Sequence, residues 1–285
     1  MVESPANGSK NLFQKEILVI LLILILIAAL LSYPATVAYA HNTVSAVVLM
    51  DAKSGEILYA QNPDRKMEIA STTKILTAIT VIERGDITQI VEIPAVAVGV
   101  EGSSIYLREG EKWRVSDLLF GLMLRSGNDA AVALAIATAG STEAFANMMN
   151  ETAEKAGASR SHFANPHGLH DDKHYSTALD LALITRYALK NEIFSEICRT
   201  KTHSCEKESE GKKVKAVFYN KNKLLYSYPN ATGVKTGFTK HSGRCLVASA
   251  AAEGRELICV TLNVSDTYGV TKELFDRYLH KSKAG

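Results

Sequence analysis

Residues 44–50 are apolar and rich in β-branched side chains, residues 51–55 are turn-forming, and 56–60 form a second short run. This pattern predicts a strand, a hairpin turn and a strand. In 72–84 the apolar side chains of Ile75, Leu76, Ala78, Ile79, Val81 and Ile82 cover nearly every face of a helix that Gly85 ends. A helix apolar all round is a buried one. Helical patterns follow at 117–125 behind a cap at Ser116, at 129–139 up to Gly140, at 142–156 up to Gly157, and at 177–190 behind a cap at Ser176. Ser126, Gly127 and Asn128 interrupt the first two of these. Strand character returns at 196–203 and 213–219 around a charged loop. Residues 243–251 and 256–264 read as a hairpin turning at Glu253-Gly254, and 268–281 as a closing helix.

Strands at both ends with helices between them predict an α/β protein of the α+β type. One antiparallel sheet would be built from both chain ends, with a helical lobe inserted. Residues 41–285 form one domain on this reading, without internal repeat or low-complexity segment.

The N-terminus adds a destination. Lys10 and Lys15 precede an apolar run at 17–31, and Ala38 and Ala40 supply small residues at the spacing a signal peptidase reads. A basic flank, an apolar core and a small-x-small site make a secretory signal peptide. The run is shorter than the ~20 residues of a spanning helix. Residues 1–40 are therefore expected to be a cleaved signal, the alternative being an uncleaved anchor, and the rest of the chain is expected to work outside the cytoplasm. The formal net charge of +2, with no basic face interleaved with aromatics, gives no reason to expect nucleic acid. Four cysteines in an exported chain allow disulfides. Cys245 and Cys259 fall on opposite faces of a regular two-residue hairpin, so they should not pair. Cys198 and Cys205 are the better-placed pair, although free thiols are the expectation. The eight histidines include no H-E-x-x-H and the cysteines no C-x-x-C, so neither a metal site nor a cofactor is expected.

Three short motifs carry chemistry: Ser71-Thr72-Thr73-Lys74, Ser126-Gly127-Asn128 and Lys235-Thr236-Gly237. S-x-x-K alone says little, because Ser204/Lys207 and Ser209/Lys212 match it too. Those two lie in the stretch 204–213, read as a solvated loop, whereas Ser71 opens a buried helix. Residues three apart on a helix share a face, so Lys74 can reach the Ser71 hydroxyl. The helix start favours a developing negative charge. Taking the proton off a lysine of ordinary pKa ~10.4 at neutral pH costs roughly 4–5 kcal/mol. Burial and a second cation are the ways to supply that, and Lys235 is a candidate for the cation. Residues 234–238 read as the start of an edge strand, where Thr236 can bond a substrate carboxylate and Gly237 lets a substrate backbone approach. Taken singly, the second and third motifs are ordinary turns; their order along the chain argues otherwise.

With Ser103 to Gly110, Leu124 to Ala131, Asn165-Pro166-His167-Gly168-Leu169 and Gly233 to Thr239, the motifs make the chain resemble the serine D-alanyl-D-alanine carboxypeptidases among the low-molecular-mass penicillin-binding proteins. The short enzymes of Gram-positive and spore-forming bacteria are the most similar. The resemblance implies a β-lactamase/transpeptidase-like fold and hydrolysis of the terminal D-Ala-D-Ala bond of peptidoglycan stem peptides, at the cell wall or the outer face of the membrane, with β-lactams as inhibitors. Ser71 would be the nucleophile and Lys74 its base, with Ser126 and Asn128 relaying the proton and holding the substrate amide. Lys235 and Thr236 would take the carboxylate, and the backbone N–H groups of Ser71 and Phe238 the oxyanion. His167 would sit near the cleft and orient the deacylating water. A C-terminal β domain and an amphipathic anchor, common in larger relatives, are expected to be missing, which puts membrane attachment in doubt. The stretch 263–266 lacks an arginine that some relatives use for the carboxylate, and Phe238 stands where Tyr or His is usual. Competing readings are a DD-endopeptidase, a serine β-lactamase, disfavoured because 165–172 lacks the deacylating glutamate, and a non-catalytic penicillin-binding module.

Overall fold

The structure, a computed structural model, describes residues 44–279. The apolar run at 17–31 and the cleavage site at 38–40 lie outside the described residues. Strands β1 (Ala46–Asp51), β2 (Ile57–Gln61), β7 (Ala231–Thr239), β8 (Gly243–Ala252) and β9 (Arg255–Leu262) form one antiparallel sheet in the order β2-β1-β9-β8-β7. Both chain ends thus build it, as the hydropathy pattern predicts, and β7 is an edge strand.

Alternation along these strands makes two cores. Val48, Met50, Val247, Ile258 and Val260 face the helical lobe. Val47, Leu49, Leu246, Ala248 and Cys259 face the closing helix Thr267–Tyr278, which buries Leu274 and Phe275 against them. Each such side chain contributes roughly 1.5–3 kcal/mol of burial. Cys245 belongs to the first core and Cys259 to the second, so they lie on opposite sheet faces, and all four cysteines are free.

The lobe consists of α1 (Lys74–Arg84), α2 (Val115–Arg125), α3 (Asn128–Ala139), α4 (Thr142–Lys155), α5 (Ala178–Leu189) and α6 (Glu192–Arg199). Of the two expected caps, that at Ser176 moves by one residue and that at Ser116 is not formed. Ser141 and Thr177 accept the capping N–H groups of α4 and α5, at 3.0 Å each, whereas Ser176 lies just outside. Ser116 falls inside the first turn of α2 and makes no cap.

Of residues 196–203, expected as a strand, 196–199 end helix α6 and only 202–203 are in a strand. Phe194, Ile197 and Cys198 are buried at helical spacing, and Asn191 caps α6 by accepting the Phe194 N–H at 3.1 Å. The stretch 204–213 is not a solvated loop. Strands β5 (Thr202–Ser209) and β6 (Lys212–Tyr219) pair across a tight turn at Glu210-Gly211 and, with β3 (Ile90–Glu92) and β4 (Lys112–Arg114), make a second sheet. The inward positions of β5 are His203, Cys205, Lys207 and Ser209. Lys207 and Ser209 meet the buried carboxylate of Glu111, which accepts from them at 2.5 and 3.3 Å and from Trp113 at 2.9 Å, and His203 bonds Asp117 at 2.8 Å. Alternation is present, but its inner face is polar, so hydropathy does not reveal it.

Candidate active site

Ser71 sits in a 3-10 turn, Ala70–Thr73, that leads into α1. Ala70 has φ +47, a left-handed conformation that an L side chain adopts at a cost. The hydroxyls of Thr72 and Thr73 tie the turn back to the carbonyls of Ile69 and Ala70, at 2.6 and 2.8 Å. Lys74, the first residue of α1, is wholly buried. Its Nζ lies 3.0 Å from Ser71 Oγ, 2.6 Å from Asn128 Oδ1 and 2.6 Å from the carbonyl oxygen of His167. Burial first, and then the charge of Lys235, hold the Lys74 pKa well below that of an ordinary lysine, against an opposing pull from Asp129. The Asp129 carboxylate is itself engaged by the Ser104 hydroxyl at 2.6 Å and by the N–H groups of Ile105 and Leu107 at 3.1 Å.

Ser126 and Asn128 come from the break between α2 and α3. Ser126 takes φ +64, which ends α2 and turns the chain into the cleft. Asn128 donates through Nδ2 to the carbonyl of Glu101 at 2.5 Å, which leaves its oxygen aimed at Lys74.

The motif around His167 works through its backbone. Asn165 Oδ1 accepts the N–H groups of His167 and Gly168, at 3.3 and 2.7 Å. Thr77 donates to the carbonyl of Pro166 at 2.7 Å, and Lys74 to that of His167. A Cβ on Gly168 would stand 1.9 Å from the carbonyl oxygen of Ala70, so only glycine lets this loop lie on the Ser71 turn. The His167 ring accepts the Leu169 N–H at 3.2 Å, and burial with the charge of Lys74 pushes its pKa down to about 3, so the ring is neutral. His167 meets Lys74 through its carbonyl oxygen. His174, which the sequence did not single out, braces the same turn. It accepts the Ala164 N–H on Nδ1 at 3.1 Å and so donates through Nε2 to Thr73 at 2.8 Å.

On the other wall, Gly237 of β7 packs on the turn; a Cβ there would lie 3.1 Å from both Ile69 O and Ser71 N. Ser71 and Phe238 both line the one cleft. Lys235 is buried beneath the floor, its Nζ 2.9 Å from the carbonyl of Thr236, and burial first, then Lys221, lowers its pKa to about 7.

The open cleft has a volume of about 350 Å³, and its lining includes Ser71, Ser126, Thr236, Phe238, Lys221, Lys223 and Arg244, with no carboxylate among the lining residues. Arg244 is the residue that sequence reasoning missed. It pairs with Phe238 across β7 and β8, and its carbonyl accepts the N–H of Val264. A guanidinium therefore enters from the strand beside 263–266, the stretch without an arginine. Register alone brings it there, and register was the only signal that pointed to it.

A family model described as D-alanyl-D-alanine carboxypeptidase, peptidase S11, matches residues 34–266. The chain belongs to that family. A D-alanyl-D-alanine carboxypeptidase of Bacillus subtilis is 36% identical over 231 residues, covering 79% of this chain and 58% of the relative. One from Streptomyces is 32% identical over 245 residues, covering 80% and 84%. The crystal structure of the Streptomyces K15 DD-transpeptidase superposes with a TM-score of 0.75 at 31% identity, over 81% of this chain and 96% of that one. The fold is thus the penicillin-binding, β-lactamase-like one. The chain spans a little over half the length of several curated relatives, 58% of the Bacillus enzyme and 55% of an Escherichia coli one.

Proposed function

We propose that the protein is a serine D-alanyl-D-alanine carboxypeptidase that acts on peptidoglycan stem peptides and is acylated by penicillins at Ser71. The observation that carries this reading is the buried amine of Lys74, 3.0 Å from the Ser71 hydroxyl, at the mouth of a cationic cleft. Neutral Lys74 takes the Ser71 proton as Oγ attacks the carbonyl of the penultimate D-alanine. The N–H groups of Ser71 and Phe238 stabilise the oxyanion, each such donor being worth roughly 3–4 kcal/mol. The proton passes to the departing D-alanine, with Ser126 beside the path, and water then releases the acyl-enzyme.

The terminal carboxylate lies on Thr236 and Arg244 in this reading, in the field of Lys235, Lys221 and Lys223. Carboxypeptidase action requires that free carboxylate, and a cleft lined by cations without an acid suits it. The apolar run at 17–31 directs export, and the catalytic domain begins at His41. Among the described residues, no helix is long and apolar enough to cross a membrane.

Peptide mapping by mass spectrometry after penicillin treatment tests the assignment. One adduct on Ser71, lost in Ser71→Ala together with D-alanine release, is expected. An adduct on Ser204 or Ser209 would overturn it.

A further inference from the structure

Three segments distant in sequence bring metal-ligating side chains together. Glu68 precedes the Ser71 turn, His170 follows the loop that holds Lys74, and His241 lies in the turn after β7. One donor atom from each lies within 4.8 Å of the other two. His170 Nδ1 is 2.9 Å and His241 Nδ1 4.0 Å from the same oxygen, Oε1 of Glu68. The two imidazoles stack, with centroids 4.5 Å apart and planes inclined by 7°.

We propose that Glu68, His170 and His241 form a surface site for a divalent transition metal of the zinc type. Two imidazoles and a carboxylate are a zinc donor set, and an open position is left for water. Bonds near 2.0–2.2 Å in a tetrahedron require donors roughly 3.3–3.5 Å apart. These donors need close by only about an ångström to reach that spacing. Stacked rings direct their in-plane lone pairs side by side, so the two imidazoles must also turn out of the stack to converge on one ion, a movement open to side chains that are 46% and 62% accessible.

With Nδ1 of His170 on the metal, its Nε2–H would face the exposed Asp172 carboxylate, whose Oδ1 is 3.8 Å away and would need to move closer to accept it. No spacing motif announces this site, because its ligands come from three separate segments. The bound ion would cross-link the Ser71 turn, the His167 loop and the β7–β8 turn. It would be a clasp on these three segments rather than a participant in the chemistry.

The alternative cluster of Asp117, His203 and Cys205 is less suited. Burial and the charge of Asp117 raise the Cys205 pKa to about 12, and the His203 ring is stacked on Phe120 at 3.7 Å and bonded to Asp117 at 2.8 Å.

The full chain, stripped with EDTA, is titrated with Zn²⁺ by calorimetry, and its melting temperature is followed. One equivalent should bind, and a hundredfold excess over Kd should raise the melting temperature by roughly 5–10 °C. His170→Ala and His241→Ala should each weaken binding at least tenfold, and Glu68→Gln should weaken it too, while His162→Ala leaves it intact. Substituted Co²⁺ should show tetrahedral visible bands without a thiolate charge-transfer band. No binding, binding unchanged in the double variant of His170 and His241, or a thiolate band would each overturn the proposal. These readouts do not involve acyl transfer, so they stand or fall apart from the reaction proposed above.

Discussion

Replacing Gly237 by alanine tests whether the close approach of β7 to the Ser71 turn sets the rate. The added Cβ would lie 3.1 Å from Ile69 O and Ser71 N and 3.2 Å from Ala70 Cβ, where ordinary contact begins near 3.4 Å. Strand β7 is held by its ladder to β8 from Ala231 to Thr239, so the turn is the part that yields, by a few tenths of an ångström. Gly237 does not have a left-handed φ, so no backbone strain is added. Overpacking of this kind costs about 1 kcal/mol, the low end of the usual range. The rate should suffer more. Losing one oxyanion donor outright costs 10²–10³ in rate, and a misplacement of about 1 Å costs about 10². A shift of a fraction of that predicts acylation by labelled penicillin slowed roughly tenfold, with the melting temperature lowered only slightly. Gly254→Ala is the control, because its left-handed φ of +76 strains the backbone but its Cβ meets nothing within 4 Å. It should lose stability and keep the acylation rate. Wild-type acylation in Gly237→Ala, or equal slowing in both variants, would refute the reasoning.

The two lysines should behave differently. Lys74→Ala should abolish acylation at every pH. Lys235→Ala removes a like charge, lets Lys74 hold its proton more firmly, and should move the acid limb of the acylation profile to higher pH; a fixed limb would reject that coupling. Arg244→Gln should lower kcat/KM for D-Ala-D-Ala peptides by roughly 10–100-fold, the worth of one charged hydrogen bond, while leaving an amidated peptide lacking that carboxylate at its already low rate. Unchanged discrimination between the two peptides would remove Arg244 from the carboxylate site. His174 is buried and its pKa is pushed down to about 4 from 6.5, chiefly by burial. Between those values the unfolded chain binds the extra proton, so this contribution to stability is complete above pH 6.5 and is lost as pH falls towards 4. The loss is on the order of 3 kcal/mol, and His174→Gln should flatten the fall in denaturation midpoint between pH 7 and 5.

The sheet was legible because its strands, 44–50, 243–251 and 256–264, are apolar and bounded by turn residues, and the two core helices because their faces are almost wholly apolar. The second sheet was hidden because Glu111 makes Lys207 and Ser209 acceptable inner residues, so charge stood where hydropathy expects an apolar side chain. The S-x-x-K and K-T-G motifs were legible as residue types, but their geometry was not. The sequence cannot show that Gly237 lies on the Ser71 backbone, that His167 contributes its carbonyl, or that strand register delivers Arg244. Those are consequences of long-range pairing. The same holds for Glu68, His170 and His241, which meet only once three loops are placed.

The hydrogen bonds of Lys74 explain why one buried lysine would not suffice. An ammonium group has three N–H donors, and three oxygens stand ready for them: Ser71 Oγ, Asn128 Oδ1 and His167 O. That arrangement alone would hold the proton on Lys74 and leave it useless as a base. Burial and the charges of Lys235 and Lys221 oppose it. Once Lys74 is neutral, the same oxygens become useful. The amide oxygen of Asn128 and the carbonyl of His167 only accept, so they take the two remaining N–H bonds. The lone pair is then left facing Ser71 Oγ, whose hydroxyl must donate to it. Asn128 cannot turn over to compete, since its Nδ2 is committed to Glu101. In the proposed reaction two acceptors thus aim the base and a second buried cation frees it, so the residues of the three motifs would have separate physical tasks.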